Sequence, residues 1–231
     1  MPPARDPQPS PRRAVVVIGG EPLHAGAVRR IPGDAVVIAA DSGFDHAVAA
    51  GLAPHVLIGD LDSISAAGLA AARAGGVEID AHPADKDATD TELALDRALA
   101  EIGEGGSLTV AGGGGDRLDH LLASLTVLAQ PRFARCAELT SWLGPALVHV
   151  LHAPRTVHLG DLPAGITLSL IPMGDVEGVT TSGLRWPLDD EPLPSGTSRG
   201  VSNVTAGRPA SVAATHGVLA VIIPHAAEEA P

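Results

Sequence analysis

The chain reads as an α/β domain with a mostly parallel sheet, followed by an all-β domain, a sandwich or small barrel. Three observations predict this. Short β-branched runs alternate with Ala/Leu-rich stretches of helical periodicity from Ala14 to about Leu143. After about Pro145 the helical signal stops, and short apolar runs are separated by Gly, Pro, Ser and Thr. Hydrophobic residues make up 45% of the 231 residues, enough for a sizeable core.

The elements follow in order. Residues 1–13, MPPARDPQPSPRR, are rich in Pro and Arg and are expected to form a disordered tail. The first strand is AVVVI (14–18), which is too short for a signal-peptide core and meets Gly-Gly-Glu at once. AVVIA (35–39), HVLI (55–58), VEI (77–79) and SLTVA (107–111) are the next strands. In such a sheet ligands bind beyond the carboxyl ends of the strands. One helix opens at Thr89-Asp90-Thr91-Glu92, which fits a capping box, and places Leu95, Ala98, Leu99 and Ile102 on one apolar face. A second opens near Asp116. Its Leu118, Leu121, Leu122, Leu125 and Leu128 are expected to face inward, with Arg117, His120 and Ser124 on another stripe. This α/β domain spans 14–144, and the β-rich domain, with runs ALVHVL, ITLSLI and VLAVII, spans 145–231.

Composition excludes some classes of function. A formal net charge of −12 makes the chain a poor candidate for nucleic-acid binding, which needs a basic footprint. No apolar run approaches the roughly 20 residues that cross a bilayer, so no membrane partner is expected. Cys136 is the only cysteine, which forbids an intrachain disulfide. A cytoplasmic protein is expected.

Four segments carry chemistry. HVLIGDLDSIS (55–65) runs a core strand into Asp60 and Asp62. In extended chain these point to one side, and a hard divalent cation such as Mg²⁺ would relieve their repulsion. The competing reading is a polar strand end, with Asp62 or Ser63 capping a helix near 64–74. DKDATDTE (85–92) holds Lys86, the only lysine in the chain, between two aspartates. That suits a point charge aimed at phosphate, though a solvated acidic loop has the same composition. AGGGGDRLDH (111–120) runs a strand through four glycines into a helix, which allows close backbone approach to an anion. Arg117 and Asp119 follow at once; a plain flexible turn is the alternative. VTTSGLRWPL (179–188) holds Trp186, one of two Trp, whose indole could stack on a flat heterocycle or pack in a core. Three acidic, Gly-flanked segments at the ligand edge of a sheet, without G-x-x-x-x-G-K-[ST], suggest Mg²⁺-nucleotide phosphoryl chemistry on a scaffold that is not a P-loop.

With these segments in view, the sequence resembles the thiamine pyrophosphokinase (thiamine diphosphokinase) family. The resemblance is carried by AADSGFDHAVAAGLAPHVLIGDLDSIS, DKDATDTELAL, GGGGDRLDHLLASL and SLIPMGDVEGVTTSGLRW followed by VSN, from about residue 39 to 203. GD-x-DS, KD-x-TD and R-x-DH together are specific; each alone is not. The resemblance implies an N-terminal α/β catalytic domain, a C-terminal β domain and a homodimer. It implies transfer of diphosphate from ATP to the hydroxyethyl group of thiamine, with AMP released. Carried over by motif, Asp60, Asp62 and Asp90 would hold Mg²⁺ and the triphosphate, with Asp41 at the same edge. Lys86, Asp87, Thr89 and Arg117 would line the phosphates, and Asp119 would stand near the reacting hydroxyl. Trp186 and Ser182 would form the thiamine pocket, with Ser202 and Asn203 close by, and the family shares that pocket across the dimer interface.

Two departures bear on nucleotide preference. Ser42-Gly43-Phe44 stands where Gly-Gly-Ala is common, and Asp116 stands where a small residue is common. Competing readings are a diphosphokinase acting on another heterocyclic alcohol, such as a hydroxymethylpterin, and a non-catalytic nucleotide sensor on the same scaffold. A metal-dependent phosphohydrolase is a weaker third.

Overall fold

A computed structural model describes residues 12–115 and 117–228. The tail expected at residues 1–13 lies outside the described residues except for its last two, and so does Asp116. Six strands, β1 (Arg13–Gly20), β2 (Val36–Ala40), β3 (Val56–Gly59), β4 (Glu78–Ala81), β5 (Ser107–Gly113) and β6 (Glu138–Leu143), lie parallel in the order β4-β3-β2-β1-β5-β6. Five of them match the runs read from sequence within a few residues; β6 was not among those runs. The helices are α1 (Ala25–Val28), α2 (Gly43–Ala49), α3 (Ala66–Ala74), α4 (Asp90–Ile102) and α5 (Leu118–Val127).

Period-two alternation buries both faces of the sheet. On one face Val16, Ile18, Ile38 and Ile58 pack with Leu95, Ala98 and Leu99 of α4. On the other, Val15, Val17 and Val37 pack with Ala27 of α1 and Ala47 of α2. Thr89 starts α4 by accepting the Glu92 N–H at 3.2 Å. The reciprocal half of the capping box is replaced, because the Glu92 carboxylate pairs with Arg132 at 2.7 Å.

The remaining strands are β7 (Ala146–His152), β8 (Arg155–Gly160), β9 (Thr167–Pro172), β10 (Val176–Ser182), β11 (Glu191–Leu193), β12 (Asn203–Val204), β13 (Ala210–Ala214) and β14 (Val218–Ile223). β7, β14, β9 and β12 extend the parallel sheet antiparallel from β6, making ten strands in all. A second sheet, β11-β10-β13-β8, shares an apolar core with this extension, where Leu151, Leu168 and Leu170 meet Val179, Leu193 and Val212. The C-terminal part is thus an antiparallel sandwich, and one of its two layers continues the parallel sheet.

Two local expectations are corrected. α3 is capped by Ser65, whose Oγ accepts the Gly68 N–H at 2.9 Å, and not by Asp62 or Ser63. The chain is still turning at Leu61, where φ is 66°, so helical dihedrals begin only at Ala66. α5 turns only part of its leucine stripe inward: Leu125 and Leu128 pack on the core, while Leu118 is 63% and Leu122 53% exposed. Within α5 only Ser124 is buried, with Leu128 enclosed just beyond its end. The helix is turned so that its polar stripe, with Leu121 beside it, faces the cleft described next.

Candidate active site

The strand order reverses between β1 and β5. The chain steps outward from β1 to β4 and then crosses to β5 on the other side of β1. Such a switch point opens a crevice at the strand ends. Here β1 ends in Gly19-Gly20 and β5 in Gly112-Gly113, followed by Gly114 and Gly115. All four glycines from 112 to 115 have left-handed φ, between 73° and 122°. A Cβ on Gly112 would stand 2.4 Å from the Ile18 carbonyl oxygen, and one on Gly20 3.0 Å from the backbone of Gly113 and Gly114. Only glycine lets the two strand ends close together there.

A cleft of about 590 Å³ occupies this edge, bordered by Gly20, Gly114, Asp41, Asp60, Asp62 and Arg117. A neighbouring cavity of about 280 Å³ shares Asp41 and Asp60 and reaches Lys86 and Thr89. β2 delivers Asp41 at its end, with φ 50° and its N–H on the Ile58 carbonyl at 2.9 Å. β3 delivers Gly59, at φ 152°, then Asp60 and Asp62. Oxygens of Asp41, Asp60 and Asp62 all lie within 4.8 Å of one another.

The electrostatics follow from these positions. Burial raises the Asp41 pKa above the usual carboxylate range against the Ser63 hydrogen bond, and the charges of Asp90 and Asp60 add to the rise. Asp60 is held below that range, first by the Asp62 N–H that it accepts at 3.1 Å and then, against burial, by Lys86. Lys86 lies 3.0 Å from Asp90 and 3.6 Å from Asp60. Desolvation opposes its charge, yet Asp90 and then Asp60 keep its pKa above that of an ordinary lysine.

The expected site residues therefore fall into groups. Asp41, Asp60, Asp62, Asp90, Lys86, Thr89 and Arg117 converge on the two cavities. Asp90 answers Lys86, and Asp41 is the residue that completes the close carboxylate triple. Asp119 receives a two-point contact from Arg117, at 2.8 and 3.0 Å, which holds it ionised well below the usual range. It borders an adjoining cavity with Thr91 and His120. Asp87 is exposed and lines neither cavity of the cleft.

Trp186, Ser182, Ser202 and Asn203 also stay outside that cleft. Buried Asn203 clamps the Trp186 backbone, accepting its N–H at 3.2 Å and donating to its carbonyl at 2.7 Å. The indole is 54% exposed, with the Arg185 guanidinium 4.9 Å from its ring centroid. Ser182 exchanges a hydrogen bond with Ser211 at 2.8 Å, and the Ser202 N–H donates to Ser169 Oγ at 3.0 Å.

Sequence reasoning did not assign Gly20, Glu21, Ser42 or Ser124 to the cleft, which all four line. The signal for the first pair was a β-branched run meeting Gly-Gly-Glu. Ser124 was signalled by the polar stripe that it shares with Arg117 and His120; Ser42 carries no local signal.

Comparisons with known proteins bear on this geometry. Residues 30–139 match the family model for the thiamin pyrophosphokinase catalytic domain, and residues 148–219 that for the thiamin pyrophosphokinase vitamin B1 binding domain. Among solved structures, a thiamin pyrophosphokinase family protein from Enterococcus faecalis is 26% identical, with a TM-score of 0.74 over 91% of this chain and 97% of that one. The thiamine pyrophosphokinase from Bacillus subtilis shares the fold at 21% identity and a TM-score of 0.77, over 91% of this chain and 98% of that one. The thiamin pyrophosphokinase from Candida albicans shares it at 12% identity and a TM-score of 0.74, over 96% of each chain. No curated protein matches by sequence.

Proposed function

The chain belongs to the thiamin pyrophosphokinase family, and from that premise we propose that it is an ATP-dependent thiamine diphosphokinase. The thiamine hydroxyl attacks the β-phosphorus of ATP. A new O–P bond forms, the bond from that phosphorus to the oxygen of the α-phosphate breaks, and AMP leaves. The observation that carries this reading is the carboxylate triple of Asp41, Asp60 and Asp62 at the strand switch point, with Lys86 and Arg117 at its sides.

The same triple fits Mg²⁺. The donors are all carboxylate oxygens, which a hard cation prefers, and Asp41 Oδ1 is buried without a hydrogen-bond partner among the described residues. Asp60, Asp62 and Asp41 would hold the ion, with Asp90, the third ligand implied by the family motif beside Asp60 and Asp62, engaged by Lys86 in this arrangement. When bound, the cation neutralises charge on the polyphosphate.

The chain's own residues do the rest. The glycines at 112–115 let phosphate oxygens approach backbone N–H groups. Lys86 and Arg117 take up the charge that builds on the departing AMP. Asp119, kept ionised by Arg117, orients the thiamine hydroxyl. Its depressed basicity leaves proton acceptance to another carboxylate or to water, a contribution on the order of 10²–10⁴-fold.

The division of labour proposed is nucleotide binding by residues 14–144 and thiamine binding by residues 145–231. Trp186, Ser182, Ser202 and Asn203 form the heterocycle surface, which lies outside the acidic cleft of its own chain. A homodimer resolves this: the Trp186 surface of one copy closes the cleft of the other, against the exposed Leu118 and Leu122 stripe of α5. A cytoplasmic location goes with the reading, because ATP and Mg²⁺ are supplied there. No described helix is long and apolar enough to cross a membrane.

The test is incubation with thiamine, ATP and Mg²⁺, with mass detection of products. Thiamine diphosphate and AMP in equal amounts are expected. AMP formed only with a hydroxymethylpterin, or orthophosphate released without an acceptor, refutes the assignment.

A further inference from the structure

Asp41 is the one buried carboxylate among the described residues, and its two oxygens are treated differently. Oδ2 accepts the Ser63 hydroxyl at 2.5 Å. Oδ1 is buried and accepts no hydrogen bond among the described residues. Leaving a buried acceptor unpaired costs free energy, and such an orphan calls for an ion or another explanation. Gly59 stands against this carboxylate. A Cβ there would meet Asp41 Cβ, Cγ and Oδ1 at 3.2–3.3 Å, so the missing side chain leaves the carboxylate its place.

Ser63 lines both cavities and does not cap the helix that follows it. Capping of α3 belongs to Ser65, which accepts from Gly68 and also donates to Asp45 at 2.8 Å. The Ser63 hydroxyl reaches back 22 residues along the chain to the end of a neighbouring strand instead. We propose that Ser63 is a positioning residue: its hydroxyl ties down Asp41 Oδ2, so that Oδ1 stays the atom offered to a divalent cation shared with Asp60 and Asp62. The inference rests on the cleft being a Mg²⁺ site. Hydrogen bonds that orient a ligating group are worth about 10- to 100-fold in metal affinity.

The experiment is titration of Mn²⁺ into the full chain, with free ion counted by electron paramagnetic resonance. It compares the wild type with Asp60→Asn, Ser63→Val and Ser63→Thr. Val and Thr have nearly the same shape and differ in the hydroxyl. Ser63→Val should weaken Mn²⁺ binding about tenfold. Ser63→Thr should bind within about twofold of wild type, and a cooperative thermal transition in both variants shows that each is folded. Ser63→Ala repeats the comparison if the Val variant does not fold. If Asp60→Asn loses the ion while Ser63→Val keeps wild-type affinity, the role of Ser63 is overturned and the metal site stands. If Asp60→Asn binds as well as wild type, the metal reading fails and this inference fails with it.

Discussion

At Asp62 the charge can be removed while the volume is kept. The Asp62→Asn variant takes away an anionic ligand from the carboxylate triple, so turnover should fall by at least about 100-fold with the thermal midpoint unchanged. Near-normal turnover at saturating Mg²⁺ would show that Asp62 holds no ion. His149 makes a different prediction. It sits inside the ten-stranded sheet on β7, opposite Thr140 and Val221, and burial pushes its pKa down from 6.5 to about 4. The folded imidazole stays neutral where the unfolded one takes up a proton, so stability rises with pH across that window and is lost as pH falls through it. Urea unfolding should show a loss of up to about 3 kcal/mol between pH 7 and 4 from this residue. A His149→Leu variant with an equally steep pH dependence would refute it. The residues of the site differ in how far sequence reveals them. Asp60 and Asp62 are legible only in combination: the pair alone also reads as a polar strand end with a helix cap, and KD-x-TD and R-x-DH further along turn the reading toward a metal. The bond from Ser63 to Asp41 spans two strand ends, and no local pattern reports it.

α4 and α5 show what a periodic pattern can and cannot convey. In α4 the apolar stripe faces the sheet as a 3.6-residue period requires, and Thr89 caps it. Thr89→Ala should lower stability by about 1 kcal/mol in urea unfolding, the usual worth of such a cap. No change in the unfolding midpoint would mean that another group satisfies the Glu92 N–H. In α5 the same period marks two stripes without saying which one is turned inward. The polar stripe of Arg117, His120 and Ser124 borders the cleft together with Leu121, Leu125 and Leu128 pack on the core, and Leu118 and Leu122 look outward. That choice depends on the cleft and, in the proposed dimer, on a second copy of the chain, neither of which is written in the helix itself.

Across the whole molecule, parallel and antiparallel strands form one sheet, joined at β6 and β7. Three of the runs read as a separate β domain, those of β7, β9 and β14, are strands of this sheet. Their existence is legible from composition. Their partners are not, because β7 pairs with β14 across some seventy residues. The proposed dimer has a sharp test at this scale. Asp62→Asn and Trp186→Ala should each be nearly inactive alone, because one lacks a working cleft and the other a working heterocycle surface. Coexpressed, half the dimers are mixed, and each mixed dimer has one intact pair of surfaces. About a quarter of wild-type activity should therefore return. No recovery in a verified mixed dimer would place both surfaces within one chain.

One lysine among 231 residues has a practical side. The rest of the surface is blank to reagents that seek an ε-amine, and the single handle stands between Asp60 and Asp90. Held protonated by those neighbours, it is a slow nucleophile until the solution is made alkaline. A dye coupled there would sit in the smaller cavity beside the acidic cleft, and so would report on the proposed nucleotide site without an engineered attachment point.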